Sequence, residues 1–193
     1  MKIVLASNSP RRKELLAGLE LPFEVRVLSG IDERYPDILQ GEEIPRYISA
    51  QKARAYLPTL ADDELLITAD TVVMLEGRVL GKPHDREDAI RMLTDLSGRT
   101  HEVITGVTLA TRDRQHSFAS LSRVTFAQLR SEDIIHYVDN YRPFDKAGAY
   151  GIQEWIGYIG VTRIEGSYFN VMGLPVQRLY EELRRFCGVD LTK

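Results

Sequence analysis

Apolar residues recur along this chain with two rhythms, one of period two and one near 3.6, and the switches between them predict its elements. Lys2 to Ala6 is a short apolar run that predicts a buried strand. Ser9-Pro10 suits the N-cap and first position of a helix whose inward face carries Leu15, Leu16 and Leu19. Phe23 to Leu28 alternates, predicting a second strand, and Ser29 to Gln40 reads as loop. Ile44, Tyr47, Ile48 and Ala55 fall at helical spacing, with Pro58 ending that helix. Leu65 to Leu75 is nearly continuous and β-branched, the pattern of a strand covered on both faces, and Glu76-Gly77 turns it into Val79-Leu80. Asp85 can cap a helix through Leu96, with Ala89, Leu93 and Leu96 inward and Gly98 as its stop. Val103, Thr105, Val107 and Leu109 alternate, a turn follows at 112–115, and a second alternating run reaches Leu129, which together predict a β-hairpin. Ser131 is the expected cap of a helix to Tyr141. A glycine-rich stretch, Gly148 to Gly173, precedes a last helix begun by Pro175, with Val176, Leu179, Tyr180, Leu183 and Phe186 as its stripe.

Interleaved strands and helices place the chain in the α/β or α+β class with a mixed sheet. No linker divides it, so 193 residues form one domain with two lobes. The 44% hydrophobic and 27% charged content excludes wholesale disorder. A net charge of −3 argues against generic affinity for nucleic acid or anionic membranes. The single cysteine, Cys187, cannot form an internal disulfide, which fits a reducing, cytoplasmic setting. The apolar run at the N-terminus is too short for a secretory core, and Asp70 breaks the longest internal one, so no membrane span is expected.

Candidate chemistry begins at Ser7-Asn8-Ser9-Pro10-Arg11-Arg12. A strand, a small polar turn and a helix N-terminus make an anion site, because the first amides of the helix point outward unpaired. Two arginines in that turn oppose the helix dipole by ~0.3–1 kcal/mol each, and a bound phosphate would reverse the sign. A solvated basic turn is the alternative, and a minor-groove DNA contact through Ser-Pro-Arg-Arg a weaker one. Asp70, inside the apolar run, is costly as an ionised group unless paired, hydrogen-bonded or metal-bound. A structural Asp at a strand end is its alternative. Gly77 to Lys82 lacks one residue of a Walker loop and has Pro83 where a metal-binding Ser/Thr belongs, which excludes a Walker nucleotidase. Lys82 can still meet a phosphate, or sit in a plain turn. Lys52 falls on the apolar stripe of its helix, pointing into a cleft or snorkelling to solvent. Asp32-Glu33 adds a loop acid pair. The four histidines show no ligand spacing, no Gly-x-Ser-x-Gly elbow is present, and Cys187 has no paired base, so a Ser or Cys nucleophile is not expected. Cations, a helix end, a buried carboxylate and an acidic loop suit a polyphosphate bound with a hard divalent cation.

Leu5-Ala6-Ser7-Asn8-Ser9-Pro10-Arg11-Arg12, Ala69-Asp70-Thr71-Val72-Val73, Gly81-Lys82-Pro83, the run from Asp145 to Gln153, Gly166-Ser167-Tyr168 and Gly173-Leu174-Pro175 together resemble Maf proteins. These are nucleoside triphosphate pyrophosphatases, and the motifs follow in order over residues 5 to 175, with no departure at the positions named. The resemblance implies a single Maf-like domain over 1–193, an α/β inosine-triphosphatase-like fold whose mixed sheet is flanked by helices, with two lobes around a central cleft. It implies hydrolysis of a nucleoside triphosphate to the monophosphate and pyrophosphate with a divalent cation, Mg²⁺ or Mn²⁺. Asp70 matches the proton acceptor and, with Glu33, the metal positions. Ser7, Arg12, Lys52 and Lys82 match phosphate contacts. Arg11, Thr71 and Gln153 match the dTTP/UTP branch, where the 7-methyl-GTP branch carries Trp, Gln and Glu. Gln153 can then read a pyrimidine edge, with Thr71 shaping the base pocket. A cytoplasmic homodimer acting on a nucleotide, with no nucleic-acid or membrane partner, is the implied setting. The alternatives are a non-catalytic nucleotide-binding regulator of septum formation, or a 7-methyl-GTP or inosine-type pyrophosphatase.

Overall fold

The longest apolar run becomes the middle of a mixed sheet. In the computed structural model, which describes residues 1–188, seven strands are present: β1 (Lys2–Leu5), β2 (Phe23–Val25), β3 (Glu64–Leu75), β4 (Arg78–Leu80), β5 (Thr100–Ala110), β6 (Gln115–Phe126) and β7 (Val161–Glu165). Their order is β2-β1-β3-β5-β6-β7, with β4 beside β3. β1 runs parallel to both β2 and β3, whereas β4 and β7 run antiparallel to β3 and β6. Among the described residues seven α-helices accompany the sheet: α1 (Pro10–Ala17), α2 (Glu43–Tyr56), α3 (Arg86–Leu96), α4 (Ser131–Tyr141), α5 (Trp155–Gly160), α6 (Tyr168–Met172) and α7 (Val176–Cys187). The expected α/β class with a mixed sheet is borne out. Among the described residues no helix is long and apolar enough to cross a membrane.

The chain divides into two compact units. The first comprises Met1–Asp70, Thr105–Ser120 and the residues from Gly173 onward, and the second Thr71–Ile104 with Leu121–Met172. In the first, Val4, Ala6, Ala53, Tyr56, Leu60, Leu66 and Ala110 form a buried cluster against which Leu28, Ile31 and Leu57 pack. Helix α2 lies so close to β5 that a Cβ on Gly106 would fall 2.2 Å from the Pro45 carbonyl carbon. In the second, His101, Phe126 and Tyr150 meet edge to face, with ring centroids 5.0–5.4 Å apart. Asp85 caps α3 as expected, accepting from the Asp88 amide at 2.8 Å, and Gly98 follows with φ +69°.

Several expectations shift. β2 stops at Val25, and although the Arg26 amide still reaches the Leu5 carbonyl (3.1 Å), Tyr56 then takes over, its hydroxyl accepting from the Leu28 amide (2.7 Å) and donating to the Arg26 carbonyl (3.2 Å). Leu19 lies beyond the end of α1 and is half-buried. On α2 the inward face is Ile44, Pro45, Ile48, Ser49, Ala53 and Tyr56, leaving Tyr47 and Ala55 exposed, because small Ser49 and Ala53 permit the close approach to the sheet. Ser131 is the first residue of α4 rather than its cap. Arg130 holds the cap position without capping through its side chain and binds Asp133 instead. The glycine-rich stretch contains α5, β7 and α6, too short for periodicity to reveal.

Candidate active site

Asp70 ends the first unit's share of β3, and Thr68, two residues earlier, lies on the same strand face by alternation. The Thr68 hydroxyl donates to the Ser49 carbonyl on α2 at 2.7 Å, and the Ser49 hydroxyl bonds Thr108 of β5 at 2.9 Å, both contacts fully buried. These bonds fix the register of helix on sheet. One turn beyond Ser49, Lys52 therefore sets its Nζ 2.8 Å from Asp70 Oδ1 and 3.1 Å from Glu33 Oε1. Both Lys52 and Asp70 keep only 14% of their side chains exposed, while Glu33 is half exposed at 51%. One further turn along α2, Tyr56 holds the start of the loop that delivers Glu33. That loop borders an open cavity of about 510 Å³ lined by Leu28, Ser29, Gly30, Ile31, Asp32 and residues of α2.

Arg12 lies in the first turn of α1, after Ser9 at the N-cap and Pro10. Its Nε donates to the Gly173 carbonyl (2.9 Å) and a terminal nitrogen to the Ala69 carbonyl (2.8 Å), beside Asp70. Burial pushes the Arg12 guanidinium below its ordinary value. Asp70 opposes that fall, Arg11 adds to it and Glu33 opposes it more weakly. The turn thus holds a partly buried positive centre that negative groups stabilise, Asp70 first among them. Ser7 is buried, and its hydroxyl accepts from the Ser9 amide (3.2 Å) rather than Ser9 capping the helix itself. Arg12, Lys52, Asp70 and Glu33 are brought together, with Ser7 and half-buried Arg11 at the same helix start.

In the second unit, half-buried Thr71 follows Asp70 on β3. Lys82 is exposed in the turn after β4, and the neighbouring Gly81 carbonyl accepts from the Gly148 amide (3.0 Å). The segment running on to Gln153 is thereby tied to the Lys82 turn. Gly148 has φ +67°, and a Cβ there would press within 3.0–3.2 Å of the Val73 side chain. Gln153 is half-buried, and its Oε1 is buried with no hydrogen-bond partner among the described residues. Sequence reasoning named Lys146 only within the run from Asp145 to Gln153, without a role, and passed over Tyr137 and Glu154. Lys146 is buried and pairs with Glu154 Oε1 (3.2 Å) and Asp145 Oδ1 (2.8 Å). The Tyr137 hydroxyl donates to Glu154 Oε2 and accepts from the Gly151 amide (3.0 Å). Burial, reinforced by the bond to Glu154, pushes the Tyr137 phenol well above its usual range. The one signal in the sequence was a lysine set in the small and apolar run 146–152.

Among the described residues no three His, Cys, Asp or Glu side chains cluster as a ready-made metal cage. Asp70 and Glu33 nevertheless converge on a single cationic centre, the Lys52 ammonium. Two carboxylates of that kind suit a hard cation that draws its remaining ligands from water and substrate phosphates.

The model of the family described as "Maf-like protein" matches residues 2–186. A protein of Phocaeicola vulgatus named dTTP/UTP pyrophosphatase is 62% identical over 184 residues, 95% of each chain. Relatives of the same name from Bacteroides fragilis and Flavobacterium psychrophilum are 60% and 52% identical, the latter over 93% of this chain and 91% of its own. Among solved structures, a HAM1 protein from Coxiella burnetii matches with a TM-score of 0.50 at 17% identity, covering 96% of this chain and 99% of that one, a likeness of fold alone. With the motifs in place along the chain and identity this high over nearly its whole length, the chain belongs to the Maf-like protein family.

Proposed function

We propose that this chain is a nucleoside triphosphate pyrophosphatase that hydrolyses dTTP and UTP to the monophosphate and pyrophosphate. The observation that carries the reading is Asp70, a carboxylate set in a buried strand with Lys52 at 2.8 Å and Glu33 reached through that same ammonium. The names of its relatives support the choice of substrate.

Asp70 Oδ1 is taken by Lys52, and Oδ2 has no partner among the described residues. Oδ2 accepts a proton from the water that attacks the α-phosphorus, and pyrophosphate leaves as the phosphoanhydride bond breaks. Arg12 and the first amides of α1, with Ser7 in the turn, bind and orient the triphosphate oxygens. Lys52 and Lys82 add positive charge against the anion. Asp70 and Glu33 would hold a divalent cation, Mg²⁺ or Mn²⁺, which supplies neutralisation of the charge that develops on the leaving pyrophosphate. Gln153 reads the base, with Thr71 and Arg11 completing the choice of substrate. A non-catalytic regulator would need the cationic cradle alone, and the Asp70–Glu33 pair favours the enzyme.

The test is a panel of nucleoside triphosphates with Mg²⁺ or Mn²⁺, scored separately for pyrophosphate and orthophosphate. Pyrophosphate from dTTP and UTP, abolished by chelation, is expected. Orthophosphate as the first product would place the attack at the γ-phosphorus and refute the reading.

A further inference from the structure

Tyr56 closes α2 and is buried, yet its hydroxyl is spent on the backbone of another segment. It accepts from the Leu28 amide (2.7 Å) and donates to the Arg26 carbonyl (3.2 Å). Arg26 is pinned besides by its own amide on the Leu5 carbonyl (3.1 Å) and by its guanidinium on both oxygens of Glu64 (2.7 and 2.9 Å). From this fixed point the chain runs from Leu28 to Glu33, whose carboxylate meets Lys52 at 3.1 Å, one turn back along the same helix. The two anchors are about 6 Å apart along the helix axis, whereas a chain of that length can span about 17 Å. The excess borders the open cavity that this loop forms with Gln51 and Ala55 of α2, and it turns at Gly30 with φ +75°. A segment with so much slack delivers a side chain to one place only if both of its ends are held. The Lys52–Glu33 pair cannot hold its end alone, because Glu33 is half exposed and such pairs contribute little.

We propose that Tyr56 is a positioning residue, whose hydroxyl sets where this loop begins and thereby brings the Glu33 carboxylate to the Lys52–Asp70 pair. Leu28 and Ile31 of the loop pack against the buried cluster that contains the Tyr56 ring. Apolar packing keeps the loop near the helix but is not directional, and the two hydrogen bonds supply the direction. Tyr56→Phe keeps the ring and removes both bonds. The Thr68–Ser49 bond remains, and with it the place of Lys52 against Asp70. One carboxylate of the pair proposed to hold the cation is then released, while the other stays. The inference rests on that proposed role of Glu33 and adds the residue that places it.

Two measurements test it, at a temperature where thermal melts show every variant folded. In protein free of nucleotide and metal, a nitroxide is attached at exposed position 34 (Arg34→Cys with Cys187→Ser) or, in a second sample, at exposed position 54 of α2 (Arg54→Cys with Cys187→Ser). Adding Tyr56→Phe should sharpen the spectrum at 34 and leave that at 54 unchanged. Unchanged mobility at 34, or equal loosening at 54, overturns the proposal. Calorimetric titration of Mn²⁺ then compares the wild type, Tyr56→Phe, Glu33→Gln and the double variant. Tyr56→Phe should weaken Mn²⁺ about tenfold, the size of effect seen when a group that orients a metal ligand is removed. In the Glu33→Gln background it should change nothing, because its effect passes through Glu33. An unchanged affinity in Tyr56→Phe, or an equal weakening in the Glu33→Gln background, overturns the proposal. A wild type that binds no Mn²⁺ would refute the cation role of Glu33 and leave the nitroxide spectra to decide on Tyr56.

Discussion

Lys52 and Asp70 meet at 2.8 Å, on a helix and a strand held in register by the buried bond between Thr68, two residues before Asp70, and Ser49, three before Lys52. The geometry gives Asp70 one oxygen fixed in place and one open to chemistry. It also explains how an acid survives in so apolar a strand, since the ammonium offsets the cost of burying the charge.

Replacement of Asp70 by Asn keeps the size of the side chain and removes the proton acceptor and the negative charge. The expected loss in kcat is at least about 10²-fold, with the thermal melt little changed. Steady-state pyrophosphate release from dTTP checks it, and wild-type turnover in the variant would take Asp70 out of the mechanism.

Much of the fold was legible because the elements that bury most also alternate most clearly. The run from Leu65 to Leu75 and the Asp85-capped helix appear where their patterns put them. Tyr47 and Ala55 misled, because helical spacing alone gives several candidate faces, and small Ser49 and Ala53 decide which one approaches the sheet. The site was legible in part for a different reason: Asp70 and Lys52 each break an apolar pattern, which exposes them to inspection. Thr68, Tyr137 and Glu154 break none. Their importance comes from partners distant in sequence, the Ser49 carbonyl, the Gly151 amide and the Lys146 ammonium, which no local pattern announces.

Arg12 divides its guanidinium between the Gly173 and Ala69 carbonyls, at 2.9 and 2.8 Å. A lysine has a single nitrogen and cannot span both, so Arg12→Lys strands a buried carbonyl even though it keeps the charge. A loss of about 1–3 kcal/mol in stability should accompany the loss of activity. Urea unfolding beside kcat/KM separates the two effects, and an unchanged unfolding midpoint would mean that the two carbonyl bonds contribute nothing.

Acid should act in two stages. Burial pushes the His101 imidazole from 6.5 down to about 4, so between those values the unfolded chain binds a proton that the folded chain refuses. Stability therefore falls as pH drops from 6.5 toward 4, by roughly 3 kcal/mol from this residue, and its contribution is level below that window. Arg26 holds the Glu64 carboxyl down at about 2 from an ordinary 4.5, with the Ala61 amide assisting, so that stabilisation persists above 4.5 and is lost as pH falls toward 2. Urea midpoints at pH 7, 5.5 and 4.5 for the wild type and His101→Phe isolate the first stage. The variant should show the flatter dependence, and parallel curves would exclude His101 as its source.

Gly106 offers the most direct test of the packing that carries Lys52. A methyl group there would stand 2.2 Å from the Pro45 carbonyl carbon, 2.3 Å from its oxygen and 2.5 Å from the Arg46 nitrogen, all backbone atoms of α2 that cannot rotate aside. Gly106→Ala must then push the helix off β5, at a cost of about 1–3 kcal/mol or more. The same movement strains the buried bonds from Ser49 to Thr68 and Thr108, and so draws Lys52 away from Asp70. A lower melting temperature together with a fall in kcat larger than the unfolded fraction explains is the expected outcome. A destabilised variant with full kcat per folded molecule would show that the helix shifts without disturbing the Lys52–Asp70 pair, and would remove the register of α2 on the sheet as the device that positions it.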